Sequence, residues 1–246
     1  MKKKTFLNVL RGVAVLTLTA GCLVLSACGD ETEKDPVPSE PLTVTITGTI
    51  SHTDYTPGQS GTIIFNRFPA SVAEFKQVRE QIGREPHGAA ALQLMAYEMY
   101  RRNKKRGEEC IRLNNVTNNI TIPISRLNEL FYTNSGDPGY QRPYQIAAFL
   151  KGATPENGYN PQKPYTIEVR VNPVQNYVYS NDYQANVLYL QVLTKGKDRG
   201  EEGVEVIKTH RPGEPSNGDY YIVFKSPGLY SSVKGVSFTT PFNGLD

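Results

Sequence analysis

The sequence predicts an α+β fold in which helices pack on one face of a curved antiparallel sheet. Two observations predict it. Helical periodicity dominates residues 71–132, whereas alternating strand patterns separated by turn residues dominate residues 165–225. Helices followed by strands indicate an α+β arrangement rather than a doubly wound parallel sheet. The short connections between consecutive strands favour antiparallel pairing.

An N-terminal β-hairpin is expected over residues 42–65. Residues 43–50 alternate threonine with aliphatic residues, with Gly48 at one aliphatic position, which is typical of a strand with one wet face. Turn-forming residues occupy positions 56–61, and the run 62–65 predicts the second strand. The sequence leaves open whether this hairpin joins the main sheet.

Two helices are expected next. Ser71 and Glu74 fit a capping box, in which each side chain satisfies a free backbone amide at the start of the helix. Gly83 is expected to end this helix. A longer helix is expected to begin after Pro86 and to end at about Lys105, because apolar residues recur there at helical spacing.

The longer helix ends in a basic cluster. Positive charge near a helix C-terminus complements the negative end of the helix dipole, and this explains the cluster better than an anionic partner does. Residues 108–116 are expected to be helical again, and Ser125 is expected to cap a last helix over residues 126–132. The basic residues are Arg101, Arg102, Lys104, Lys105 and Arg106.

The second half of the chain is expected to form the sheet. Residues 165–171 alternate cleanly, and three further strands are expected at residues 187–194, 204–210 and 219–225. A helix layer on a curved antiparallel sheet is similar to nuclear-transport-factor-2-like and cystatin-like architectures, and the order of elements is compatible with both.

The first 27 residues resemble a bacterial lipoprotein signal peptide. A positively charged start precedes a short apolar run that ends in Leu25-Ser26-Ala27-Cys28. The apolar run is too short to cross a bilayer, which needs about 20 residues. The resemblance to a lipobox implies cleavage before Cys28 and lipidation of its thiol. Cys22 is the rival site, but it lacks an aliphatic residue three positions earlier.

Residues 28–41 are expected to form an acidic, proline-rich tether between the membrane and a single domain over residues 42–246, because they hold too few apolar residues to build a core. Asp30, Glu31 and Glu33 follow the cysteine closely. This cluster resembles the export signal of Bacteroidetes lipoproteins, which implies an outer-membrane location and display at the cell surface. A solvated spacer is the alternative interpretation.

Charge and cysteine content bound the functions of the mature chain. Removal of the signal takes four of the 27 basic residues and leaves 23 against 24 acidic residues. No net positive charge therefore points to nucleic acid as a partner. After lipidation of Cys28, only Cys110 remains, and its position in a helical segment predicts a small buried apolar residue rather than a nucleophile.

One distinctive motif covers residues 152–165, which read GATPENGYNPQKPY. This segment resembles the signature of an uncharacterised bacterial family of unknown function, in which GATPxNxYxPxKPY precedes a strand. The resemblance extends to about Val236 and implies a family-like core over residues 66–236. The chain departs from the family pattern in its last strand, where relatives often carry tryptophan. The family implies no known activity, ligand or catalytic residue.

The same motif supplies the candidate binding residues. As a ligand loop it would offer amide and aromatic contacts from Asn157, Tyr159, Asn160 and Tyr165. The alternative is a structural loop whose prolines and glycines hold the connection in place, and proline and glycine punctuation favours this alternative.

The sequence favours a non-catalytic binding or interaction module over an enzyme. The three histidines of the mature chain lack metal-ligand spacing, and they are expected at the surface or in turns. We expect no metal and no cofactor, and a glycan or a surface protein as the partner. A hydrolase of extracellular glycans stays open, because a carboxylate pair is set by the fold. A structural subunit of an envelope assembly is the third possibility.

Overall fold

The computed structural model describes residues 35–132, 141–208, 220–236 and 240–245. The predicted signal peptide and Cys28 lie outside these residues, as do the ends of two predicted strands at residues 209–210 and 219. The elements are β1 (Val44–Thr49), β2 (Ser60–Phe65), α1 (Val72–Ile82), α2 (Pro86–Arg102), α3 (Lys104–Asn114), α4 (Thr121–Phe131), β3 (Tyr165–Val171), β4 (Tyr177–Ser180), β5 (Ala185–Leu193), β6 (Glu201–Lys208) and β7 (Tyr221–Lys225).

The predicted α+β class is confirmed. The strands form one open antiparallel sheet in the order β1-β2-β3-β5-β6-β7, and β4 pairs with β5. Strand β3 pairs with residues 190–192 of β5, whereas β4 pairs with residues 185–188. The two strands therefore follow one another along the same edge of β5. The hairpin β1-β2 joins the main sheet, because β2 pairs with β3 over six residue pairs.

Helix α2 forms the centre of the core. It is buried from Pro86 to Tyr100 and contacts five strands of the sheet. The small side chains of Ala89, Ala90 and Ala91 are fully buried, which lets the helix lie close to its neighbours. The side chains of one sheet face complete this core; they include Ile63, Phe65, Ile167, Val169, Leu190, Val192, Val204, Val206 and Val223.

The start and end of α1 form as the sequence predicts. The hydroxyl of Ser71 accepts a hydrogen bond from the amide of Glu74 at 3.2 Å, and the amide of Gly83 donates to the carbonyl of Arg79 at 2.8 Å. The carboxylate of Glu74 reaches back to the amide of Ala70 at 2.8 Å. It also forms a two-point ion pair with Arg67.

Three local expectations are corrected. Helix α2 ends at Arg102, because Asn103 adopts an extended backbone and its side chain caps α3 by accepting from the amide of Arg106 at 3.0 Å. Helix α4 begins at Thr121, so Ser125 lies inside it and caps nothing. Strand β4 was not expected.

No helix in the described ranges combines the length and apolar composition needed to cross a bilayer.

Candidate functional site

The loop at residues 152–165 is held together by its own side chains. The carboxamide oxygen of Asn157 accepts from the amide of Thr154 at 2.9 Å, and its nitrogen donates to the carbonyl of Gly152 at 2.8 Å. Asn160 donates to the carbonyl of Pro241 at 2.9 Å. Both candidate amides therefore fix the path of the backbone.

The two candidate tyrosines are buried. Tyr159 stacks on Tyr144, and its hydroxyl donates to the carbonyl of Lys234 at 3.0 Å. Tyr165 begins β3 and packs against Phe65 and Phe68. These contacts agree with the structural alternative for the loop. Ligand binding by Asn157, Tyr159, Asn160 and Tyr165 stays a prediction.

The groups suited to catalysis or metal binding are dispersed in the described part of the chain, where no cluster of three or more histidine, cysteine or acidic residues could hold a metal. Cys110 is buried as predicted, and burial raises the pKa of its thiol above the usual range. His52 pairs with Glu85 at 3.2 Å. His210 lies outside the described residues.

His87 corrects the expectation that the histidines lie at the surface or in turns. It is fully buried at the start of α2, and its ring lies directly over Gly61, where an added Cβ would come within 2.2 Å of the ring. Burial lowers the pKa of His87, and the nearby Glu85 carboxylate opposes this shift. The side chain therefore serves as a neutral part of the core.

Four cavities of the described structure each carry one carboxylate in their lining. The one with the largest volume among them, about 470 Å³, lies between α4 and residues 227–232 and contains Glu129. A glycosidase requires two carboxyl groups roughly 5–10 Å apart across a cleft. These cavities do not supply that pair.

An exposed aromatic surface lies at strand β4, which pairs with β5. We call it the aromatic edge and define it by Tyr55, Val174, Tyr177 and Tyr179. Tyr177 and Tyr179 expose 46% and 51% of their area, and Val174 exposes 94%. Four of the six large apolar residues that are exposed in the described chain lie within residues 174–179. Contiguous apolar exposure of this kind marks interaction sites.

The pairing of β4 with β5 places the two tyrosines side by side. Tyr177 lies opposite Leu188, and Tyr179 lies opposite Asn186. Alternate residues of a strand share one face, so both rings project to the same side of the sheet, about 7 Å apart along the strand. Val178 projects to the other side.

Neighbouring polar groups hold these rings in place. Tyr55 lies against Tyr177 with ring centroids 4.3 Å apart, and Asn186 donates to the hydroxyl of Tyr55 at 2.7 Å. The hydroxyl of Tyr179 donates to the carboxamide oxygen of Gln184 at 3.1 Å. Because the rings are oriented in advance, a partner loses little side-chain entropy on binding them.

Sequence reasoning missed the aromatic edge. The signal that could have found it is the alternation of Tyr177, Val178 and Tyr179 between turn-forming pairs at residues 172–173 and 181–182. Tyr55 gave no such signal, because its position in a long hairpin loop says nothing about its distant neighbour in β4.

A family model described as a domain of unknown function (DUF6935) matches residues 67–237. The chain belongs to this family. This confirms the resemblance to an uncharacterised family. No curated protein and no solved structure matches the chain. The likeness to nuclear-transport-factor-2-like and cystatin-like architectures therefore stays a prediction.

The DUF6935 match contains the motif loop, the core helix α2 and strand β4. It leaves out the whole β1-β2 hairpin, including Tyr55 in the hairpin loop. The aromatic edge is therefore composite: the DUF6935 domain supplies Tyr177 and Tyr179, and the segment before it supplies the ring that lies on Tyr177.

Proposed function

We propose that this chain is a non-catalytic binding module of the cell envelope that holds a surface protein at its aromatic edge. The observation that carries the proposal is the exposure of Tyr177 and Tyr179 side by side on a short strand, next to Val174. Tyrosine is enriched at protein interfaces because it offers a large rigid contact area with a polar tip.

The surroundings of the rings favour a protein over a glycan. Val174, with 94% of its area exposed, adds aliphatic area, which suits an apolar protein surface. Among the described residues, β4 pairs with β5 alone, so the other edge of this four-residue strand is not paired with another strand, although the amide of Tyr177 donates to the side chain of Asn176 at 3.0 Å. An extended segment of a partner can add to such an edge through main-chain hydrogen bonds.

The envelope location rests on the sequence. Cys28 closes a lipobox-like segment, so the mature chain would be lipid-anchored through that residue. Asp30, Glu31 and Glu33 support transfer to the outer membrane and display at the cell surface. A surface protein of the same cell would then be within reach of the aromatic edge.

Photo-crosslinking in cells tests the proposal. A benzophenone analogue of phenylalanine replaces Tyr179 in the full chain. The matched control carries the same probe at Tyr189, which β5 directs to the opposite face. We expect one discrete crosslinked protein from position 179 and none from position 189. The additional substitution Tyr177→Ser should weaken the crosslink from position 179.

Two results would count against a protein partner. Equal crosslinking from both positions would indicate random collision rather than a site. Binding of the purified chain to a polysaccharide, lost in Tyr177→Ser and Tyr179→Ser, would assign the same surface to a glycan instead.

A further inference from the structure

The basic cluster between α2 and α3 differs from the one that the sequence predicts. Its two arginines in α2 are both paired with Glu98, a fully buried carboxylate that binds Arg101 at 2.6 Å and Arg102 at 2.9 Å. These two cations therefore have a structural role at the end of α2.

Lys104 and Lys105 lie on the wrong side of the helix break for the dipole explanation. They are the first two residues of α3, and the first turn of α3 contains no acidic residue. Positive charge at a helix N-terminus is repelled by the positive end of the dipole. Both lysines are exposed, and the ammonium group of Lys104 lies 4.1 Å from the ring centroid of Tyr132. An anion bound beside the two lysines would offset the repulsion between their charges and the positive end of the α3 dipole.

The described part of the chain also begins close to the first turn of α3. Asp35 pairs with Arg106 in the first turn of α3 at 3.0 Å, and the backbone carbonyl of Glu40 accepts from Arg67 at 2.8 Å. Residues 35–41, the last part of the expected tether, therefore run along the domain. The chain leaves the described structure beside Lys104 and Lys105.

The length of the remaining chain limits how far this corner can stand from a membrane. Asp35 lies seven positions after Cys28, and an extended chain spans at most about 3.6 Å per residue, or ~25 Å in all. This step rests on the lipid anchor of the proposed function. The point of attachment therefore stays within about 25 Å of the bilayer.

We infer that the α2–α3 junction faces the membrane and that Lys104 and Lys105 bind the anionic headgroups of its lipids. An anchor and a basic patch act together, because the anchor keeps the lysines within reach of a negative surface potential that decays over about 8 Å at physiological salt. The domain would then hold a defined orientation, set by the docked residues 35–41 and the two lysines.

Vesicles with a synthetic anchor test this orientation. A maleimide lipid is coupled to Cys28 of the purified mature chain, whose second thiol, Cys110, is buried with a raised pKa. The chain contains no tryptophan, so Glu109→Trp on the exposed side of α3 gives a single donor for energy transfer to dansyl-labelled lipid. Vesicles of phosphatidylcholine with and without phosphatidylglycerol are compared.

We expect higher energy transfer in the phosphatidylglycerol vesicles, and a loss of this gain at high salt or in the double variant Lys104→Gln/Lys105→Gln. The matched control Lys195→Gln/Lys208→Gln removes two exposed lysines of the sheet region and should keep the gain. Equal transfer in both vesicle types, or equal loss in both double variants, would overturn the inference. Because the anchor is coupled chemically, the result does not depend on natural lipidation, which is measured separately as the mass of the peptide that contains Cys28.

Discussion

Tyr144 and Tyr159 stack nearly in parallel, with ring centroids 5.0 Å apart and an interplanar angle of 16°. Tyr159 adopts a positive φ of 54°, which non-glycine residues rarely do, and its hydroxyl donates to the carbonyl of Lys234. One side chain thus joins the motif loop to Tyr144, in the connection between α4 and β3, and to Lys234 in the C-terminal part of the chain.

Truncation of Tyr159 should therefore destabilise the fold. We expect Tyr159→Ala to lower the free energy of unfolding by about 3–5 kcal/mol, as for other large buried aromatic residues. Tyr159→Phe keeps the stacking and leaves the carbonyl of Lys234 without its donor, so about 1 kcal/mol should be lost. Urea denaturation measures both. A Tyr159→Ala variant as stable as the parent would contradict the structural role of the loop.

Removal of the buried carboxylate at Glu98 should also be costly. Glu98→Gln leaves Arg101 and Arg102 without their shared counter-charge, and we expect a loss of about 3 kcal/mol, near the low end for a broken buried pair because both arginines reach solvent. The control is Glu129→Gln, which removes an exposed pair with Arg126 and should change the free energy by less than about 1 kcal/mol. Equal losses of unfolding free energy in Glu98→Gln and Glu129→Gln would show that burial of Glu98 does not strengthen its ion pairs.

His87 should make the protein less stable in mild acid. Burial lowers its pKa in the folded state below the ordinary 6.5. The unfolded chain therefore binds more protons as the pH falls, and the free energy of unfolding decreases below pH 6.5. From pH 7 to pH 5 this loss is at most about 2 kcal/mol. Urea titrations at both pH values should show a smaller loss for His87→Leu, whereas His52→Asn should keep the loss.

Residues of the aromatic edge should be dispensable for stability. Tyr179→Ala removes a half-exposed ring and should change the free energy of unfolding by less than about 1 kcal/mol. Tyr221→Ala, at the buried start of β7, should cost about 3–5 kcal/mol. Thermal or urea unfolding distinguishes the two. A large loss in Tyr179→Ala would mean that this tyrosine is structural and would weaken the proposed partner site.

Lipid attachment should depend on Cys28 alone. We expect Cys28→Ala to abolish incorporation of labelled fatty acid and to release the chain from the membrane fraction, because the lipobox-like segment predicts attachment of the lipid at this thiol. Cys22→Ala should retain both properties. The opposite pattern would move the anchor to Cys22 and would lengthen the chain between the membrane and Asp35.

Local features of the fold could be predicted because they depend on neighbouring residues. The alternation in residues 43–50 and 165–171 separates a wet face from a buried face, and both segments form strands. Ser71 caps α1 through an amide three residues away, and Gly83 follows its end. The break at Asn103 was missed, since helical periodicity continues across it and the cap forms only when the backbone turns there.

The sequence by itself determined the α+β class, the family-like motif and the lipobox-like start, because each depends on residues close together in the chain. Tertiary structure alone decided which side chains meet. Tyr159 is buried because Tyr144 and the carbonyl of Lys234 lie beside it, whereas Tyr179 on β4 keeps 51% of its area exposed. The two tyrosines are chemically identical, so only contacts between distant segments separate a core residue from a candidate binding residue.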